Sequence, residues 1–158
     1  MDTRDQQTWT VRPIAVVRSS RDEVVDDGWD AETATIELLE PFDARSVAGL
    51  GAFSHLEVIY LLDRVDPAAV HVHARRPRGN PAWPEVGILA QRAKDRPNRI
   101  GLCTCELVAV DGASIVVRGL DAIDGTPVLD VKPYMEEFAP RGEVRQPAWS
   151  HELMRDYW

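Results

Sequence analysis

Residues 102–120 read LCTCELVAVDGASIVVRGL. Two arms rich in β-branched and apolar residues flank Asp111-Gly112, and glycine accepts the positive φ that a tight antiparallel turn needs. This stretch predicts a β-hairpin, and its neighbours share the same character. Val11–Ser20 (VRPIAVVRSS) and Ala34–Glu40 (ATIELLE) read as strands. Ser54–Asp63 (SHLEVIYLLD) is a nearly unbroken apolar run containing Tyr60, and predicts a strand covered on both faces. Gly87–Ala90 reads as a short strand entering a basic loop, and Thr126-Pro127 leads into a further strand, VLDV (Val128–Val131). Between the first strands, RDEVVDDGWD (Arg21–Asp30) reads as an acidic loop carrying Trp29 at its tip. Helix signals are few: Asp43 ahead of a small turn in Pro41–Phe53, and a helix-like SHELMRDYW at Ser150–Trp158. Many short strands with little helix predict a mainly β fold, closed or strongly curled.

The totals agree with one soluble domain. The chain has 158 residues, 44% hydrophobic and 28% charged. No run approaches the roughly twenty apolar residues of a membrane helix, and the polar opening MDTRDQQTWTVRP does not resemble a secretory signal, so no membrane and a cytoplasmic location are expected. A net charge of −8 argues against coating nucleic acid by bulk electrostatics. A nucleic-acid contact would need a local basic patch, and Ala74–Asn80 (ARRPRGN) with Ala90–Gly101 (AQRAKDRPNRIG) supplies one; the competing reading is a solvated loop. Cys103 and Cys105 share a strand face as reduced thiols. His71 and His73, with Asp63 upstream, lack a third ligand close in sequence, so no metal is expected. Phosphate loops, dinucleotide fingerprints and nucleophile elbows are all missing, so a Rossmann-type methyltransferase or dehydrogenase is not supported.

Two segments carry chemistry. Arg92, Lys94, Arg96 and Arg99 cannot all be buried unpaired. They face water or meet anions, among them Glu106, Asp124 and Asp130 of this chain. Pro97 stiffens the loop and Asn98 suits a left-handed turn, giving guanidinium groups a fixed cradle for carboxylate or phosphate. Downstream, LDAIDGTPVLDVKPY (Leu120–Tyr134) sets Asp121, Asp124 and Asp130 about a turn in which Gly125 permits close backbone approach. Its main-chain groups suit an adenine edge and its acidic groups a sulfonium; alternatively the acidic loop only holds the arginines.

Together, R-x-x-x-R-P-N-x-I-G and D-x-x-D-G-T-P-V-L-D-V-K-P-Y resemble the signature of the TrmO family, also called TsaA or YaeB-like. The resemblance implies a non-Rossmann, single-sheet β-barrel that binds S-adenosylmethionine. It implies a homodimer that methylates N6 of threonylcarbamoyladenosine at position 37 of tRNA, in the anticodon loop. It implies a cofactor site of Arg92, Leu102 and the main chain of Ala122, Ile123, Asp124 and Gly125. Asp63 and Arg64 stand where tRNA-modifying members carry a histidine-containing pair, and Asp27, Gly28 and Trp29 are the counterparts of a further cofactor loop. Asp130 and Tyr134 are the expected catalytic shell, taking the proton from the methylated amine. Arg96, Asn98 and Lys132 are expected to hold substrate anions; the alternative is that these residues only brace the barrel. The chain departs from the family pattern in LAQRAKD and RPNRIG, and in residues 135–158, which form an extension after a core of about 11–134 in one domain, 1–158. Two other readings keep the fold: methylation of a small-molecule acceptor, and a non-catalytic S-adenosylmethionine-binding module.

Overall fold

The computed structural model describes residues 7–158; the opening MDTRDQ lies outside them. Eight strands form: β1 (Ala15–Ser19), β2 (Thr33–Leu38), β3 (His55–Leu61), β4 (Ala74–Arg75), β5 (Val86–Gly87), β6 (Ile100–Asp111), β7 (Ser114–Arg118) and β8 (Pro127–Pro133). Six of them close a barrel in the order β1-β2-β7-β6-β3-β8, while β4 and β5 pair separately. All barrel neighbours are antiparallel. The long strand β6 makes closure possible. Its first half pairs with β3 and its second with β7, with an irregularity between Leu107 and Ala109 where it bends.

Alternation decides which side chains fill the interior. Leu56, Val58 and Tyr60 of β3, Cys103 and Cys105 of β6, Ile115 and Val117 of β7, Ile36 of β2 and Val128 of β8 are all buried. Each large aliphatic side chain so enclosed contributes about 1.5–3 kcal/mol. The lumen is therefore a packed core and not a channel. Contrary to the sequence reading, β3 is covered on one face only, its burial alternating from Leu56 to Leu61. The inward residues fill the lumen, while Glu57, Ile59 and Leu61 on the outer face are only partly covered.

Other expectations shift by small amounts. The hairpin forms, but Asp111 pairs with Ser114, so the turn centres on Gly112-Ala113, with Gly112 at φ 57°. Gly87–Ala90 is not a strand: the β4–β5 ladder ends at Gly87 and Ile88–Ala90 is a 3-10 turn. Asp43 does cap a turn, accepting from Arg45 N at 2.9 Å, though the element is a 3-10 turn over Ala44–Val47. The terminal helix α1 covers Ala148–Leu153, two residues earlier than its expected start and five short of the expected end.

The connections sort by rim. One rim gathers the β1–β2 loop, the long excursion from β3 to β6 and the β7–β8 segment; the other holds the β2–β3 connection, the Gly112 turn and the exit after β8. Beyond α1 the chain returns to the first rim, where Gly28 N donates to Asp156 O (3.0 Å) and Trp29 N to Tyr157 O (2.9 Å). No helix among the described residues is long and apolar enough to cross a membrane.

Candidate functional site

The β7–β8 segment forms the floor of the site. Leu120 and Ala122 plug the barrel end, 1% and 3% exposed, and the chain then turns through Asp124-Gly125, with Gly125 at φ 82°. Asp124 is spent on the turn: its carboxylate accepts Ser19 N at 3.0 Å and its own N–H reaches Arg21 O at 2.8 Å. Gly125 N bonds Val17 O, and Thr126 Oγ1 donates to Ile123 O at 2.8 Å. Among the described residues, no hydrogen bond uses the N–H of Ala122 or Ile123. Buried main-chain donors are nearly always paired, so these two mark where a ligand edge fits.

Asp121 anchors this turn. Tyr60, rising from the barrel wall, donates its hydroxyl to Asp121 Oδ1 at 2.5 Å and to Asp121 O at 3.1 Å. Tyr157, from the end of the chain, donates to the other carboxylate oxygen. Burial first, and then the Asp121 charge, pushes both phenols well above the ordinary tyrosine range. They are permanent donors and cannot act as bases. The same two causes hold Cys103 and Cys105 as thiols, Cys105 being pushed up to about 12. Neither is a nucleophile.

Arg92 and Lys94 face water, as one expectation had it, but the expected pairing with this chain's own anions does not form. Glu106, Asp124 and Asp130 do not hold the loop's arginines: Glu106 takes Arg118, and Asp130 takes Lys132 at 2.8 Å. Instead, Arg92 donates to Leu102 O (2.7 Å), Arg96 to Gln91 O (2.6 Å), Arg99 to Val65 O (2.7 Å) and Arg64 to Asp22 O and Asp124 O (2.9 and 3.2 Å). Carbonyls fix the geometry of these side chains without cancelling their charge. Asn98 takes the left-handed conformation expected of it, φ 61°. Arg75 and His71 both meet Asp95, and Arg78 clamps Asp27 at 2.8 and 3.1 Å. No group of three or more His, Cys, Asp or Glu among the described residues is placed to hold a metal.

Where the expected residues fall is now clear. Arg92, Leu102, Arg64 and the 122–125 turn stand at the first rim. Asp63 is there too, exposed, without a side-chain hydrogen bond among the described residues. Leu102 is 44% exposed and Ile100 45%, both on the outer face of β6, so any ligand they touch lies outside the barrel wall. Asp27, Gly28 and Trp29 are near, yet their polar groups are largely committed: Arg21 takes both Asp27 O and Gly28 O, and Trp29 is only 4% exposed beneath the Arg21 guanidinium, 3.6 Å from its ring centre. Trp29 is thus a buried brace and not a loop-tip aromatic. Asp130 lies level with Leu102 across Ile59 in the strand register. Lys132 sits one row further and is exposed. Tyr134 is brought to the opposite rim, bonded through its N–H to His55 O. Reasoning from sequence missed Arg21, read Tyr157 only as a packing aromatic of the tail and gave Tyr60 no role. Both roles rest on partners distant in sequence, Gly101 and Asp121 for Tyr60 and Asp121 for Tyr157.

Fold and site define a class: a closed antiparallel barrel with basic residues and open main-chain donors on one outer rim, and no nucleotide-binding βαβ unit. The family model described as the tRNA-methyltransferase O N-terminal domain matches residues 25–139. A "Probable S-adenosyl-L-methionine-binding protein" of Methanothermobacter thermautotrophicus is 39% identical over 136 residues, 84% of this chain and 94% of that one. A human tRNA (adenine(37)-N6)-methyltransferase is 36% identical over 103 residues, 65% of this chain but 23% of the relative. The crystal structure of TrmO from Pseudomonas aeruginosa superposes with a TM-score of 0.71 at 29% identity, covering 88% of this chain and 62% of that one. The chain belongs to the TrmO family, and it matches the amino-terminal domain of that family.

Proposed function

We propose that this protein binds S-adenosylmethionine on its outer rim and methylates N6 of threonylcarbamoyladenosine at position 37 of tRNA. The observation that carries the reading is the pair of unpartnered N–H groups at Ala122 and Ile123, on the same rim as Arg92 and Leu102. The residues fit the group. Ala122 and Ile123 meet a purine edge, Arg92 pairs with a carboxylate, and Leu102 with Ile59 gives an apolar wall that excludes water. S-adenosylmethionine, when bound, supplies a methyl made electrophilic by its sulfonium. What the chain adds is alignment, worth several kcal/mol, and a site of fixed dipoles. Asp130, on the same outer face, takes the proton that the amine loses as its new C–N bond forms. Arg64, Lys94, Arg96 and Arg99 face tRNA phosphates, with Asn98 shaping their loop.

The same reading makes the protein a cytoplasmic homodimer built from one domain. The exposed Ile100 and Leu102, with the partly buried Ile59 and Leu61 beside them, offer an apolar row for its subunit face, next to the site. Calorimetry with S-adenosylmethionine, followed by methyl transfer to tRNA carrying or lacking the threonylcarbamoyl group, tests the proposal. Uptake with transfer to the modified tRNA supports it. Uptake without transfer leaves a binding module, transfer to small molecules alone moves the acceptor, and no uptake removes the reading.

A further inference from the structure

The matched domain ends at residue 139, yet the chain beyond it is tied to three separate segments of the rim. Gly28 N and Trp29 N donate to Asp156 O and Tyr157 O, fixing the β1–β2 loop. Trp83 Nε1 donates to Glu152 Oε2 at 2.8 Å, fixing the long excursion. Tyr157 donates to Asp121, fixing the β7–β8 turn. Tyr157 is held in turn by Trp158, edge to face at 4.9 Å between ring centres. The remaining oxygen of Asp121 belongs to Tyr60 of the barrel wall.

We infer that Tyr157 is a positioning residue for the adenosyl site, and that residues 148–158 form a strap completing that site within one chain. The inference rests on the function proposed above. Each carboxyl oxygen of Asp121 accepts a phenol hydroxyl, so its orientation is set by these donors. Two phenols on opposite sides fix its plane, and with it the direction of the next peptides, whose N–H groups at Ala122 and Ile123 are the open donors. With Tyr157 gone, one oxygen of a part-buried carboxylate is left unpaired. The segment then rotates toward water or another donor, and the two N–H groups leave their aligned position. The strap does not itself occupy those donors, since its bonds go to Gly28, Trp29, Trp83 and Asp121. It therefore supports the ligand and does not compete with it.

The test is calorimetric titration of S-adenosylmethionine into the full chain and three variants, well below their melting transitions. Tyr157→Phe is expected to weaken binding about tenfold, the worth of one hydrogen bond to a charged group. Deletion of residues 141–158 is expected to weaken it further. Glu152→Ala, which frees the strap at Trp83 without touching Asp121, weakens it less. In turnover, Tyr157→Phe raises KM for S-adenosylmethionine while kcat stays within about twofold, a split that general destabilisation does not produce. Unchanged affinity in Tyr157→Phe and Glu152→Ala, with the wild type binding normally, overturns the inference and leaves the proposed function standing. Tighter binding on deletion also overturns it, by making the strap an inhibitor. A wild type that takes up nothing removes the function and the inference together.

Discussion

Tyr60 lies so closely across Gly101 that a Cβ on the glycine would come within 2.3 Å of ring atom Cε2. The two face each other in the β3–β6 register. Glycine is needed here for space alone, because the ring must lie flat against the strand for its hydroxyl to reach Asp121.

Gly101→Ala should therefore cost about 1–3 kcal/mol, as overpacking does, since a ring and not a flexible chain end must move. Urea denaturation reads the loss as a lower midpoint. Binding of S-adenosylmethionine should weaken alongside. An unchanged midpoint would mean that the ring does not occupy this place.

Asp130 and Tyr134 can be separated by mutation. Asp130 shares the outer face with Leu102, whereas Tyr134 stands on the opposite rim. Asp130→Asn should lower kcat for tRNA methylation by about 10²-fold or more, in the range of lost proton transfer. Tyr134→Phe should leave it within about threefold. Equal effects of the two variants would remove Asp130 from the chemistry.

The thiols should be inert while the fold holds. Cys103 and Cys105 are each 3% exposed, and burial, aided by the Asp121 charge, raises both. The thiolate is the reactive form, so at pH 8 an aromatic disulfide reagent should titrate neither until denaturant is added. Fast stoichiometric reaction in buffer would contradict the packed lumen.

Alkaline titration should expose the two phenols. In the unfolded chain Tyr60 and Tyr157 lose their protons near pH 10, whereas burial and Asp121 keep them protonated in the folded chain. Their contribution to stability is thus full below about pH 10 and lost as pH rises beyond it. The decline measured by denaturation between roughly pH 9.5 and 11 should be shallower in Tyr157→Phe. An identical slope would mean that Tyr157 stays exposed.

Much of the barrel was legible because its signals are local. The Asp-Gly turn, the alternating arms of β6 and β7 and the short strands β1, β2 and β8 all follow from neighbours in sequence. Where the reading failed, the cause is tertiary. The apolar run of β3 suggests cover on both faces, but Leu61 and Ile59 face outward and are only partly covered. Ile88–Ala90 turns because buried Gln91 donates to Arg75 O and Val86 O at 2.9 and 3.0 Å, bonds no local pattern announces. At the candidate site, the resemblance pointed to the 122–125 turn and Arg92 because both belong to contiguous motifs, and both lie on the first rim. It did not give the pairing that matters to Asp121: Tyr60 is 61 positions away and Tyr157 is 36.

The alternation along β6 has an evolutionary corollary. Cys103 and Cys105 are tied to a filled interior, while Leu102 and Thr104, one step away on the same ribbon, answer to no packing partner inside it. Residues that hold the fold and residues that form the outer wall are thus interleaved but independent. Drift in what the wall recognises can proceed letter by letter without eroding the architecture beneath.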